Sequence, residues 1–343
     1  MKVRARAPLR LGLAGGGTDV SPYCDEHGGV VLNATIDLYV YATLSLNATP
    51  TVVFTAQDQQ RKVELAATPT LPIDGPLPLH RGVYNRIVRD FRHGEPLPLA
   101  LTTASDAPAG SGLGASSTLV VAMVKAFVEL LALPLGEYDI ARLAYDIERT
   151  DLGLSGGRQD QYAAAFGGVN FMEFYADERV IVNPLRVKNW ILSELEASTI
   201  LYYTGVSRES ARIIDEQRAR MQRHDASALS ALHALRAEAW AMKECILRGD
   251  IRRFAASMQK GWEAKKDTAS SVSSPAIEHA IATAQAAGAY AAKVSGAGGG
   301  GFVMLFADPE SRVAVCNALG ALGGGVVHPC HFTKYGTQGW RIE

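Results

Sequence analysis

Residues 108–117 read PAGSGLGASS, set between an apolar run from Leu99 to Ser105 and an apolar stretch that opens at Ser116 and continues to Leu133. The first run has the length of a strand and the second the periodicity of a helix. Glycines at 110, 112 and 114 leave successive backbone N–H groups uncovered, and the helix behind them adds the partial positive charge of its N-terminus. Together these make a seat for an anion, most often phosphate. The competing reading is a tight turn capped by Ser116 and Ser117. Gly110, Gly112 and Ala115 also satisfy the dinucleotide pattern G-x-G-x-x-A, but that fold needs a second parallel strand after the helix. Here Pro134 and another helical pattern follow. A Walker loop is excluded, because the chain contains no Gly-Lys pair.

Two other glycine-rich segments flank this one at a distance. Near the N-terminus Val3, Ala5, Ala7, Leu9 and Leu11 alternate with Lys2, Arg4, Arg6 and Arg10, the pattern of a half-buried strand. That strand ends in LGLAGGGTD, where Gly15, Gly16 and Gly17 allow close backbone approach, and β-type runs follow at 29–36 and 39–46. Late in the chain SGAGGGG, residues 295–301, separates two strand-like runs, and five glycines in seven residues favour contact with a ligand or another loop over a plain hairpin. Two phosphate-type loops point to a nucleotide.

Between the loops lies ERTDLGLSGGRQDQYAAAFGG, residues 148–168. Gly153, Ser155 and Gly157 match the G-x-S-x-G of serine hydrolases, but a nucleophile elbow follows a strand and a helical pattern precedes this one. Asp151 reads as a surface carboxylate. Asp160 reads as another surface carboxylate, as a cap for the helix 161–166, or as a general base on a loop that can enter a cleft.

Composition narrows the partners. Among 343 residues, 34 Lys and Arg face 35 Asp and Glu, so the net charge is −1 and neither nucleic acid nor a membrane surface is invited. With 48% hydrophobic and 20% charged residues the chain reads as globular. Its length suits two domains of roughly 150 residues each. The stretch 113–133 holds Lys125 and Glu129, which marks it as a core helix and not a membrane span. Cys24, Cys245, Cys316 and Cys330 form no CxxC pair and no leader is visible, so a cytoplasmic location is expected. His27, His80 and His279 share no metal-ligand spacing, and no zinc is expected.

Four prolines in 67–79 mark a surface connection before a helix at 83–91. Further helices are expected at 116–133, 135–150, 207–223, 226–247 and 251–265. The C-terminal part reads as helix 275–287, strand 290–294, loop, strand 302–306, helix 309–322 and strand 326–332, joined by a β-type run at 198–203. This α+β pattern places a boundary near residue 190, giving domains 1–190 and 191–343.

The three loops in this order resemble the GHMP kinase superfamily, ATP-dependent kinases of small molecules that include galactokinase, homoserine kinase and mevalonate kinase. The resemblance spans nearly the whole chain. It implies an α+β fold of two domains, the first ribosomal-protein-S5-like and the second ferredoxin-like, with the active site in the cleft between them. Within the superfamily, APLRLGLAGGGTDVSPY and GGRQDQYAAAFGG resemble the branch that phosphorylates heptose 7-phosphate at the anomeric hydroxyl, on the way to nucleotide-activated heptose for surface polysaccharides. The broader readings are a kinase of a fucose- or galactose-like sugar, and a non-catalytic sugar or nucleotide sensor.

Residue by residue, the resemblance implies that ATP is held by Pro108, Gly110, Ser111, Gly112, Leu113, Gly114, Ala115, Ser116 and Ser117, with Gly298 and Gly299 of the late loop. Ser116 and Glu148 would ligate Mg2+. Asp160 would be the catalytic base. Arg10, on the polar face of the first strand, reads either as the cation that holds Asp160 ionised and offsets charge on the transferring group or as a solvated strand charge like Arg4 and Arg6. Gly16, Gly17, Thr18 and Asp19 would meet the sugar phosphate, with Asp19 accepting hydrogen bonds from ring hydroxyls. By its own chemistry Arg208, in the TGVSRES turn that opens a helix, reads either as a two-pronged grip on the 7-phosphate or as an exposed helix-start residue. Where galactokinases carry Glu-His before Thr-Asp, this chain has Gly16 and Gly17, so the sugar contacts of that pair do not transfer.

Overall fold

The computed structural model describes residues 1–206 and 210–342. Its first half is built on a mixed sheet. Strand β1 (Lys2–Ala14) leads through helix α1 (Tyr23–His27) to β2 (Gly29–Leu46), and the pair is antiparallel. The two β-type runs expected at 29–36 and 39–46 are one strand. Its register against β1 slips between Pro8 and Arg10, and the resulting bend lets one half of β2 pair with each of two further strands.

Strands β3 (Thr51–Ala56) and β4 (Arg61–Ala66) form a hairpin, helix α2 (Pro78–Phe91) follows the proline-rich connection, and β5 (Leu99–Ser105) runs parallel to β3 and antiparallel to β2. Helix α3 (Ala115–Leu131) packs on β1 and β2, with Val120, Val121, Val124 and Phe127 fully buried. The helix expected over 135–150 is α4 (Glu137–Asp146) running into a single π turn, Ile147–Asp151, a widening that recurs at functional sites. Helix α5 (Gln159–Phe166) and the strands β6 (Val169–Phe174) and β7 (Val180–Pro184) complete this half, with β6 on the other part of β2.

After α6 (Asn189–Ser198) and β8 (Thr199–Tyr203), three helices follow, α7 (Ser210–Gln222), α8 (Ala226–Arg248) and α9 (Ile251–Lys266). Then come α10 (Pro275–Ala286), β9 (Ala289–Val294), β10 (Phe302–Ala307), α11 (Arg312–Ala321) and β11 (Val326–His328). The second sheet is antiparallel in the order β11-β8-β10-β9. It is buried on both faces. Phe302, Met304 and Phe306 share a core with Met242 and Ile246 of α8, Phe254 and Met258 of α9, and the first sheet. Val303 and Leu305 face Ile277 and Ile281 of α10 and Val315 and Leu319 of α11.

The expected boundary at residue 190 is crossed by the C-terminus. Strand β12 (Gln338–Arg341) returns to pair with β1, covering what would otherwise be an open sheet edge. Its four residues are too short and too polar to announce a strand by pattern. No helix among the described residues is long and apolar enough to cross a membrane.

Candidate active site

A cavity of about 480 Å³ opens where the glycine loops converge. One wall is the N-terminus of α3. Gly110, Gly112 and Gly114 all hold positive φ, at 72°, 80° and 78°, and no side chain caps the helix. The serine-capped turn is therefore not formed, and the first amides of α3 are left to a ligand. Ala109 to Gly112 and Gly114 to Ser117 line the cavity. Pro108 and Leu113 of the expected loop do not line it. Pro108 is exposed and its carbonyl closes the turn onto Ser111 N–H, while the Leu113 side chain is fully buried in the core.

The late glycine loop reaches this wall through one backbone amide and one serine hydroxyl. Phe302 N–H donates to Ser111 O at 2.9 Å and Ser295 Oγ to Gly112 O at 3.1 Å. A Cβ on Gly112 would stand 2.5 Å from Ser295 O, and one on Gly301 2.2 Å from Ser111 O. Gly298 and Gly299, expected to hold nucleotide, instead seat the loop on Val272: Gly299 N–H donates to Val272 O at 2.7 Å. Gly296 and Ala297 are the residues of this loop that line the cavity.

Arg10 is no solvated strand charge. The distal part of β1 is covered by helices, so Arg10 is 4% exposed and its donors all stay inside the protein. Nε and Nη2 reach Asp160 Oδ1 at 2.7 and 2.6 Å, and Nη1 donates to Gly112 O at 2.6 Å. Asp160, in the first turn of α5, thereby stands against the phosphate loop; a Cβ on Gly114 would lie 3.3 Å from its Oδ2.

The early loop is held from within. Asp19 is buried, and its carboxylate accepts from Gly17 N–H, Arg158 N–H, Gln159 N–H and Gln159 Nε2 at 2.9 to 3.2 Å. Four donors fill a carboxylate, so Asp19 lines the cavity but joins the early loop to α5 and has no free position for a ring hydroxyl. Thr18 is fully buried and outside the cavity; its hydroxyl meets the carbonyls of Gly15 and Val30 and accepts from Val30 N–H. Of the expected glycines, Gly17 lines the cavity, and Gly16 lies beside it with its carbonyl on Lys265.

Glu148, placed by the π turn, is wholly enclosed. Ser117 Oγ donates to it at 3.0 Å, Gln161 Nε2 donates to its other oxygen, and the Arg149 guanidinium is 3.8 Å away. Burial pushes its pKa up against the pull of Arg149 and these donors. A desolvated carboxylate bonded mainly to neutral groups favours a nearby cation. The set fits magnesium, which takes one or two protein oxygens plus phosphate oxygens. Ser117, not Ser116, bonds Glu148; Ser116 presents an exposed hydroxyl to the same cavity. No group of three or more His, Cys, Asp or Glu among the described residues forms a metal cage.

Sequence reasoning passed over three polar groups in this cavity. Arg149 donates to Leu154 O and Gly157 O, each at 3.3 Å. Gln217 of α7 bonds Thr268 Oγ1 at 2.7 Å. Lys265 lies on the buried stripe Ile251, Phe254, Ala255, Met258, Trp262 of α9, and a lysine on an apolar face was the available signal. Ser155 of the G-x-S-x-G match follows a π turn, and its hydroxyl donates to Asp215 Oδ1 at 2.6 Å, without the strand or the histidine of a hydrolase. Arg208 lies outside the described residues.

The family description GHMP kinases N terminal domain matches residues 78–168, and GHMP kinases C terminal matches 242–324. A Campylobacter jejuni protein named D-glycero-alpha-D-manno-heptose 7-phosphate kinase is 49% identical over 340 residues, 99% of each chain. The structure of a Bacteroides thetaiotaomicron protein named D-glycero-D-manno-heptose 1-phosphate kinase is 47% identical with a TM-score of 0.85, covering 99% of each chain. A putative sugar kinase from Campylobacter jejuni is 49% identical with a TM-score of 0.83, covering 99% of this chain and 98% of its own.

Proposed function

The chain belongs to the GHMP kinases, and from that premise we propose an ATP-dependent sugar kinase whose acceptor is a D-glycero-D-manno-heptose 7-phosphate, attacked through its anomeric hydroxyl to give the 1,7-bisphosphate. Identity of 49% along the whole length to a named heptose 7-phosphate kinase supports the acceptor. The observation that carries the chemistry is the Arg10, Asp160 and Gly112 cluster at the start of an uncapped helix.

The phosphate loop amides and the α3 dipole would hold the ATP phosphates. Asp160 Oδ1 is taken by Arg10, which leaves Oδ2 to accept the proton of the attacking hydroxyl. The hydroxyl oxygen forms the new P–O bond, the bond from the γ-phosphorus to the bridging oxygen of ADP breaks, and ADP leaves with that electron pair. Arg10 keeps the carboxylate against the loop and offsets charge on the transferring group. A magnesium ion, when bound, neutralises charge across the phosphates; Glu148 and Ser116 would hold it, with Ser117 and Gln161 orienting Glu148. The cytoplasm is the proposed location, and all four cysteines are free thiols.

The names of the two relatives differ in the carbon that bears the first phosphate, and one experiment separates them. Purified protein with ATP is offered heptose 7-phosphate, heptose 1-phosphate, free heptose, fucose and galactose, and phosphorus NMR locates the new ester. An anomeric phosphate formed from heptose 7-phosphate supports the reading. No ATP consumption with any acceptor would leave a sensor.

A further inference from the structure

Lys265 is the buried charge that this mechanism does not use. It is 4% exposed, and Nζ donates to Gly16 O at 3.2 Å and Gly296 O at 2.8 Å. Those carbonyls belong to the early and late glycine loops, so two of its three N–H donors tie the loops together. Among the described residues no carboxylate forms an ion pair with it. An enclosed ammonium satisfied only by neutral carbonyls is costly and favours an anion.

The surroundings leave room for one. A Cβ on Gly16 would stand 3.5 Å from Nζ and 3.6 Å from Gln159 Nε2, and a Cβ on Gly17 would stand 3.7 Å from Gln217 Oε1. No side chain from either glycine stands between Nζ and its surroundings, and Lys265 lines the same cavity as Asp160, Arg10 and the loop 109–112. We propose that Lys265 is a phosphate-binding residue of this cavity, its remaining N–H taking an anionic phosphoryl oxygen. The inference rests on the kinase reading, and the oxygen belongs either to the γ-phosphoryl group of ATP or to the phosphate the acceptor already carries.

Electrostatics supply a signature. Burial pulls the Lys265 pKa down to about 8, with Asp19 beyond β1 and Asp160 on α5 opposing and Arg10 on β1 reinforcing. From β9 the Lys293 amine is also buried, donating to Gly12 O and Leu13 O, and burial with Lys265 and Arg10 nearby pulls its pKa well down. Phosphate monoesters lose their second proton near pH ~6, so between pH 7 and 9 the protein side of the contact is what changes.

The test measures binding to the full chain by calorimetry, on either side of about pH 8. ATP alone, heptose 7-phosphate alone and free heptose alone are titrated at pH 7 and pH 9 into wild type, Lys265→Arg and Lys265→Met. Lys265→Met is expected to weaken at least one phosphate ligand roughly tenfold or more at pH 7. Wild type is expected to lose affinity for that ligand at pH 9, while Lys265→Arg, always charged, holds it at both. Loss with ATP assigns the γ-phosphoryl group; loss with heptose 7-phosphate but not with heptose assigns the acceptor's phosphate. Binding by Lys265→Met within about twofold of wild type for every ligand overturns the proposal. If Lys265→Met does not fold, a wild type no more pH-sensitive than Lys265→Arg overturns it. Absence of phosphoryl transfer by wild type defeats the kinase reading separately, because these titrations need no turnover.

Discussion

Arg10 and Asp160, 150 positions apart, meet at one oxygen: Nε and Nη2 of Arg10 both reach Asp160 Oδ1, at 2.7 and 2.6 Å. The same guanidinium bonds Gly112 O at 2.6 Å, so one rigid fork fixes the distance between the proposed base and the phosphate loop. Asp160→Asn keeps the shape and removes the base. It should lower kcat by about 10²- to 10⁴-fold while ADP affinity stays within a few-fold. Arg10→Lys offers a point charge in place of a fork, and should also lose kcat because it cannot serve both partners. Steady-state kinetics with parallel nucleotide titration check both, and an unaltered kcat in Asp160→Asn would remove it from the chemistry.

Gly112 and Gly114 have different neighbours, so their substitutions should fail differently. A Cβ on Gly112 meets Ser295 O at 2.5 Å and would separate the two glycine loops. Gly112→Ala is expected to lose nucleotide binding together with roughly 1–3 kcal/mol of stability. The Cβ of Gly114→Ala would press on Asp160 Cγ at 3.1 Å. Its main loss should appear in kcat. Thermal melts and ADP titration on the two variants distinguish the cases.

Glu148 links stability to function with opposite signs. Its pKa is raised in the fold, so its contribution to stability is fully present below the unfolded value of 4.5 and is lost as pH rises through the folded value. Glu148→Gln removes that loss. The variant is expected to melt at the same or a higher temperature than wild type at neutral pH, with a flatter pH dependence, and to require far more magnesium for turnover. Ser117→Ala, which frees one Glu148 oxygen, should shift the magnesium requirement in the same direction. A magnesium requirement unchanged in both would move the metal elsewhere.

His80 should set an acid limit. Burial lowers its pKa from 6.5 to about 4, with Nε2 hydrogen-bonded to Thr103 Oγ1 at 2.9 Å. A lowered histidine pKa stabilises the fold above 6.5, and that stability is lost as pH falls toward 4, by roughly 3 kcal/mol in all. His80→Gln does not titrate and should flatten this limb, as urea melts between pH 7 and pH 4 would record. A limb of equal slope in the variant would assign the acid loss to other groups.

The local devices were legible in the chain. Alternation in β1, the glycines of 108–117 and the apolar start of α3 act within a dozen residues, and short-range geometry alone makes an anion seat of them. Asp160 could be singled out as a carboxylate on a polar loop. Its freedom from a capping duty could not, because that depended on Arg10 arriving from another strand.

What tertiary structure decided is which polar groups are spent and which are free. Asp19 and Thr18 sit in the motif that resembles a substrate loop, yet their oxygens are filled by Arg158, Gln159, Gly15 and Val30. Gly298 and Gly299 read like the glycines of 108–117, but Val272 occupies their backbone. Lys265 reads as one more charge at the end of a helix, and β12 as a polar tail. Each received its role from a segment far away in sequence, because burial and hydrogen-bond saturation belong to the packed neighbourhood and leave no local pattern. Local pattern was enough to mark a candidate phosphate loop; packing alone fixed which polar groups around it are already bonded within the protein.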